Sequence, residues 1–253
     1  MVYATLAINF LTVPGILKST DGGGSWSHSD SGITFTSEYG PRELLIDPMH
    51  PETLYVNVGG FGREDSYKST DGGHFWSRPS PQQISIGFID PNNTNLLYGS
   101  YIGLSENYKS TDGGNSWISL TGTSDLRVID AYDPRPPTRL YAGSDSVRIN
   151  ISTDGGTSWF ASTNGLPQND ARGAGVVAMN PSSPDELLAA TFRSSTAHAD
   201  YFRTTDQGQS WKFFPQPFWP GGVFYQYSAD GINLYAGVAD YGAAARGLFK
   251  HLL

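Results

Sequence analysis

SerThrAspGlyGlyGlySerTrp spans residues 19–26, and its pattern returns as SerThrAspGlyGlyHisPheTrp at 69–76. It recurs as SerThrAspGlyGlyAsnSerTrp at 110–117, SerThrAspGlyGlyThrSerTrp at 152–159 and, more loosely, ThrThrAspGlnGlyGlnSerTrp at 204–211. The aspartates are Asp21, Asp71, Asp112, Asp154 and Asp206, so the spacings are 50, 41, 42 and 52 residues. A period of this size suits a four-stranded unit closed by short turns.

Two further signals keep step with the motif. An apolar run ending in Asp47-Pro48, Asp90-Pro91, Asp133-Pro134 or Asn180-Pro181 precedes each later copy. A second run follows each turn at Leu54-Tyr55, Leu97-Tyr98, Leu140-Tyr141 and Leu187-Leu188. A third run leads into the motif and a fourth leaves it at the Trp. Four short antiparallel strands repeated radially make the blade of a β-propeller, an all-β fold. The first runs, such as Leu44-Leu45-Ile46, read as strands buried on both faces.

The motif has its own local chemistry. An Asp heading a tight turn accepts bonds from nearby backbone N–H groups. The glycines that follow take positive φ at little cost. The closing Trp (Trp26, Trp76, Trp117, Trp159, Trp211) is expected to pack between neighbouring blades. Burying roughly 150–250 Å² of indole at roughly 25 cal/mol/Å² gives an upper figure of about 4–6 kcal/mol per Trp. These aspartates therefore read as structural. A calcium loop would need oxygen ligands at alternate positions, where this motif has Gly.

Composition agrees. Gly 30 and Pro 16 together make 18% of 253 residues, against roughly 12% on average. Charged residues are only 16%, against roughly 25%. This excess of turn formers and shortage of charge argue against bundles and coiled coils. Hydrophobic residues at 38% and aromatics at 13% can fill a core. The net charge is −8 and no Lys/Arg cluster occurs, which excludes nucleic acid and anionic membrane surfaces as expected partners. Cys is 0, so disulfides, thiolate metal sites and a Cys nucleophile are excluded. The five His show no metal-ligand spacing, and no metal or cofactor is expected. No apolar run is long enough to span a membrane as a helix. The stretch 2–17 lacks the basic start of a signal peptide and reads as strand. An extracellular or periplasmic setting is the expected one.

The motif Ser-x-Asp-x-Gly-x-Ser/Thr-Trp resembles the Asp-box, or BNR, repeat, and its five copies cover nearly the whole chain. The resemblance implies a propeller of the kind found in sialidases, sortilins (Vps10), xyloglucanases and photosystem II assembly factors. It also implies that each box lies between the third and fourth strands of a blade, away from the usual ligand face. It does not select one function, because the same repeat serves enzymes and binding proteins. The arginine triad and Arg-Ile-Pro stretch of sialidases are missing, as is the Arg-rich patch of the assembly factors. Xyloglucanases set their carboxylates between two propellers, and this chain has room for one.

The sequence predicts a single domain over 1–253. Four complete blades and two three-stranded ends make about 22 strands. That implies six blades with the termini meeting at a seam, or five if the ends merge. An unclosed seam would favour self-association. Ligands are expected at the loops opposite the boxes. Trp219, Phe61, Tyr101 and Tyr241 could stack on sugar rings there, and Arg63, Arg193 and Arg246 could hold carboxylates. The sequence favours a non-catalytic module binding a glycan or a protein. The alternative is a glycoside hydrolase with paired carboxylates drawn from Asp130, Glu64, Asp65, Glu38, Asp125 and Asp170.

Overall fold

The computed structural model describes residues 1–6, 14–36, 39–60, 63–101, 106–120, 126–168, 171–193, 199–215, 222–227, 233–239 and 247–252. These contain 21 strands and no helix. The chain divides into two compact units, Met1–Leu120 and Thr121–Leu253.

The first unit holds three antiparallel meanders. Strands β1 (Val2–Leu6), β2 (Gly15–Ser19) and β3 (Ser27–His28) form one. A second is β4 (Gly40–Ile46), β5 (Leu54–Gly60) and β6 (Arg63–Ser69), extended by a bridge from Lys68 to Ser77. The third is β7 (Ser85–Ile89), β8 (Leu97–Tyr101), β9 (Glu106–Ser110) and β10 (Ile118–Ser119).

In the second unit, β11 (Leu126–Asp133), β12 (Arg139–Ser144), β13 (Ile149–Ser152) and β14 (Phe160–Ser162) form a four-stranded meander. A like meander is β15 (Ala171–Met179), β16 (Leu187–Arg193), β17 (Ala199–Thr204) and β18 (Lys212–Phe214), joined to the first by the single pair Ser144–Ala174. The last sheet is β19 (Gly222–Tyr227), β20 (Asn233–Ala239) and β21 (Gly247–Leu252). The strand groups therefore match the sequence pattern, including its two three-stranded ends.

The first, third, fourth and fifth turn motifs join the last two strands of their meanders, the second leads from β6 to the Lys68–Ser77 bridge, and all five share one bonding scheme. In the third copy the Ser110 hydroxyl donates to Asp112 Oδ1 at 2.8 Å and accepts the Gly114 N–H at 2.9 Å. Asp112 Oδ1 also accepts the Ser116 N–H at 2.9 Å, and Oδ2 accepts the Ser116 hydroxyl at 2.6 Å. These bonds, the Ser116 hydroxyl foremost, hold the Asp112 carboxyl down at about 2. The Ser158 hydroxyl does the same for Asp154, also at about 2. In each of the four copies that carry a Gly-Gly pair both of these glycines have positive φ, 69° and 90° at Gly113 and Gly114. The loose fifth copy puts Gln207 at φ 63°, and its side chain ties to Asp185 Oδ1 at 2.9 Å.

The turns also lock successive sheets together. Lys68 Nζ donates to the Gly113 carbonyl at 3.0 Å while lying 5.2 Å over the Tyr55 ring, and Tyr55 OH donates to the same carbonyl at 3.2 Å. Lys18 and Tyr3 repeat this on the Gly72 carbonyl, at 2.7 and 3.0 Å. The Leu-Tyr strand and the Lys-Ser-Thr-Asp run thus meet at one acceptor on the next turn. Asn57 adds a second tie, donating to the Ile86 carbonyl at 2.7 Å and accepting the Ile86 N–H at 2.9 Å.

Two expectations are corrected. The first strands are not uniformly buried: Ile86 on β7, Ile129 on β11 and Ala174 on β15 are core residues, but β4 is not. Leu54, Val56 and Val58 on β5 are fully buried, whereas Leu44 and Leu45 on β4 are half-buried and Ile46 is exposed. β4 is paired along one side only, with β5, whereas β5 is paired on both. The tryptophans are also not equivalent. Trp76 and Trp211 are buried and reach back to the preceding sheet, donating Nε1–H to the Ser29 carbonyl at 2.7 Å and to Ser162 Oγ at 3.0 Å. Trp117 is buried too. Trp26 is 42% exposed and folds onto its own turn, bonding the Gly23 carbonyl at 3.1 Å. Trp159 is half-buried with the same self-contained bond, to Gly156 at 3.2 Å.

Candidate binding face

The strand ends opposite the turn motifs gather the charged groups of the first unit. The hairpin from β5 to β6 brings Glu64 opposite Gly59 and Asp65 opposite Val58. Gly40, opening β4, pairs with the same Gly59, so Tyr39 and Arg42 lie beside the hairpin. Consecutive strand residues point to opposite faces, so Glu64 and Asp65 are not a facing pair.

Each of these carboxylates is buried and paired. Glu64 Oε1 sits 3.2 Å from Arg42 Nε. Asp65 Oδ1 lies 2.6 Å from Arg78, and Asp65 Oδ2 accepts a short hydrogen bond from Tyr39 OH. Removing one partner from such a pair strands a buried charge, so these are ties of the fold. Burial first, and the Asp65 charge second, raise the Tyr67 hydroxyl above its ordinary range. The outward half of the arrangement is the Arg42 side chain, 56% exposed.

Glu43 is the group the sequence reading passed over. The register of β4 against β5 shifts between Pro41 and Leu44, which sets Arg42 and Glu43 opposite Asn57. Though much of the residue faces solvent, desolvation of its carboxyl raises Glu43 above the ordinary range. The Glu64 charge adds to that, and an Asn57 hydrogen bond opposes it. The signal in sequence was the charged pair Arg42-Glu43 inside the otherwise apolar strand β4.

Asp130, in the second unit, has a backbone role. The β11–β12 register slips between Ile129 and Ala131, leaving Asp130 at the bulge. Its carboxylate accepts the Gly143 N–H at 2.7 Å, making good a ladder bond that the bulge removes. A Cβ on Gly143 would stand 3.0 Å from that oxygen and 2.2 Å from the Ala174 carbonyl, so glycine is required there. The same slip recurs in β7 at Gly87 and in β15 at Val177.

Of the aromatic candidates, Tyr101 is half-buried against the cluster of Tyr55, Ile84, Ile86, Leu97 and Trp117. Phe61, Trp219, Tyr241, Arg246, Glu38, Asp125 and Asp170 lie outside the described residues, as do the side chains of Arg63 and Arg193. The described residues bring no three His, Asp or Glu groups together as metal ligands.

The chain superposes on the GH74 xyloglucanase of Xanthomonas campestris with a TM-score of 0.71 at 18% identity, over 99% of this chain and 45% of that one. An ancestral GH74 enzyme gives 0.69 at 17% identity, over 93% of this chain and 33% of that one. The fold is an all-β propeller. YCF48, solved bound to a D1 peptide, superposes at 0.60 with 16% identity, over 88% of this chain and 69% of that one. The chain spans less than half the length of the two GH74 proteins. No family model matches the chain, and no curated protein matches it by sequence.

Proposed function

We propose that this chain is a non-catalytic propeller that binds a protein segment at the strand ends opposite its turns. The observation carrying this reading is the state of the carboxylates. Glu64 is held by Arg42, Asp65 by Arg78 and Tyr39, and Asp130 by the Gly143 N–H. A glycosidase needs one carboxyl free to give up a proton and another free to attack or to activate water. The peptide-bound YCF48 propeller supports a protein partner. In the same reading the five turns are Asp-box repeats, residues 1–253 are one domain, and six blades close the ring. Trp219, Phe61 and Tyr241, with Arg63 and Arg193, extend the face, and a glycan is the other occupant it could take.

One observation favours a second reading. Glu43, shifted toward its neutral form, stands near the Arg-paired Glu64, and acid–base pairs in glycosidases are split in this manner. The GH74 likeness agrees with hydrolysis of a neutral glycan. A peptide array and a glycan array probed with the wild type and Arg42→Gln separate the two. Peptide binding that weakens in Arg42→Gln supports the first reading. Glycan binding with release of product overturns it.

A further inference from the structure

Asn164-Gly165 is the sole Asn-Gly pair in the chain. It forms a turn in the connection from β14 to β15, and both residues are exposed. The Asn164 carbonyl accepts the Trp211 N–H at 2.9 Å. Leu166, two residues on, is buried in the same core cluster as Trp211. Gly165 lies bare against the Trp211 backbone, where a Cβ would collide with the Trp211 carbonyl. The fifth turn motif is thus docked on the fourth meander through this turn. The first unit docks its second motif in the same way, with the Ser31 carbonyl accepting the Trp76 N–H at 2.8 Å beside Gly32. Ser has no side-chain carbonyl, whereas Asn has one.

That difference matters chemically. The Asn Cγ stands one bond beyond Cβ, within ring-closing reach of the next backbone nitrogen, and Gly puts no side chain in the way. The Gly165 N–H makes no hydrogen bond among the described residues. Four turn aspartates also precede Gly: Asp21, Asp71, Asp112 and Asp154. Each is tied by Oδ1 to the backbone N–H four residues on, at 2.9 or 3.0 Å. An ionised carboxylate is a poor electrophile, and the turn bonds hold Asp112 and Asp154 ionised, at about 2. The fold therefore shields its Asp-Gly pairs and presents its Asn-Gly pair.

We propose that Asn164 is a site of spontaneous deamidation, and that the product loosens the dock of the fifth turn motif. The Gly165 nitrogen attacks Asn164 Cγ and closes a succinimide, and the carboxamide nitrogen leaves as ammonia with the Gly165 amide proton. Water then opens the ring at either carbonyl. Opening at the main-chain carbonyl gives isoaspartate, which routes the backbone through the side chain and adds a methylene before Gly165. The packing of Gly165 on Trp211 leaves no room for it. Ring closure needs the Asn164–Gly165 peptide plane to turn, and the Trp211 N–H holds that plane by its carbonyl, so the dock sets the rate. This chemistry is independent of what the protein binds.

The test is ageing of the folded protein at pH 8 and 37 °C, followed by peptide mapping by mass and by methyl transfer from an isoaspartate-specific methyltransferase. The proteins are wild type, Asn164→Gln and Ser162→Ala, with wild type unfolded in guanidinium chloride as the reference. Asn164→Gln keeps the docking carbonyl and lacks the five-membered closure. Ser162→Ala removes the hydroxyl that accepts the Trp211 Nε1–H and donates to the Gly208 carbonyl. Wild type should gain isoaspartate at 164 and keep Asp112 and Asp154 intact. Ser162→Ala should convert at least about fivefold faster, because one lost hydrogen bond raises the open population by about that factor. The converted wild type should melt about 2–4 °C below the fresh protein, the loss of one hydrogen bond in a chain of this size. Aged Asn164→Gln should melt where it did when fresh. An unchanged Asn164 in folded wild type, after the unfolded reference has converted, overturns the proposal. So does equal conversion at Asp112, an unchanged rate in Ser162→Ala, a converted protein that melts with the fresh one, or an equal drop in aged Asn164→Gln.

Discussion

Replacing Trp76 by Ala should cost far more than the same change at Trp26, although both close the same motif. Trp76 is fully buried and its Nε1–H satisfies the Ser29 carbonyl at 2.7 Å. Deleting a buried indole costs about 3–5 kcal/mol, and it leaves that carbonyl without its donor. Trp26 is 42% exposed and bonds only its own turn. Its remaining burial scales to about 2–3 kcal/mol at most, and with no cavity formed at the surface about 1–2 kcal/mol is expected. The gap of about 2 kcal/mol corresponds to roughly 4–8 °C in Tm for a chain of this size. Differential scanning calorimetry of the two variants and the wild type measures it, with the transition that contains the first unit compared in each. Equal losses at the two positions would refute the reasoning, since it rests on the difference in packing and not on the shared motif.

Other outcomes follow from the same contacts. Lys68→Met and Tyr55→Phe should each cost about 1 kcal/mol and together less than their sum, because both serve the Gly113 carbonyl; urea melts of the single and double variants test this, and strict additivity would dissolve the latch. Asp112 is held at about 2, below its ordinary 3.8, so its contribution is present above pH about 4 and lost as pH falls through about 2. Asp112→Asn should therefore lower Tm at pH 7, with the difference shrinking below pH 4. Glu43 is shifted the other way, so the fold favours its neutral form and ionisation at pH 7 opposes stability. Glu43→Gln should raise Tm at pH 7 and match the wild type near pH 3.5, and a lower Tm at pH 7 would contradict that assignment.

Much of the fold was legible because the repeat states it. The Asp-Pro turns end β4, β7 and β11, the Leu-Tyr pairs sit on β5, β8 and β12, and the motifs of the two four-stranded meanders of the second unit and of β7–β10 join third to fourth strands. What the motif could not report was its neighbours. The Trp side chains look alike in sequence, yet Trp76 and Trp211 reach back to the preceding meander while Trp26 and Trp159 bond their own turns. Leu44 to Ile46 looked like core because they are apolar, but pairing on one side leaves β4 half-open, while Ile86 on β7 and Ile129 on β11 are buried. The latch of Lys68 and Tyr55 is written in the sequence as a recurring Lys before the Ser, but its acceptor, the Gly113 carbonyl, lies 45 residues further on.

The candidate site was less legible for a related reason. Glu64 and Asp65 were visible as acids, but their partners Arg42, Arg78 and Tyr39 come from segments up to 26 residues away. Asp130 drew notice for its place on a first strand, and only the register slip shows that its carboxylate completes the backbone ladder. Glu43 escaped because its raised affinity for a proton arises from Glu64 and burial, neither of which spacing reveals.

The central claim is that Glu64, Asp65 and Asp130 hold the fold and that neither they nor Glu43 break a bond. Its most direct test is product release from a panel of neutral polysaccharides, xyloglucan among them, measured from pH 4 to 8. Wild type, Glu43→Gln and Glu64→Gln are run side by side at matched, folded concentration. The account predicts no product above the buffer blank for any of the three. Product from the wild type that disappears in Glu43→Gln while that variant stays folded would contradict it and make Glu43 a catalytic acid.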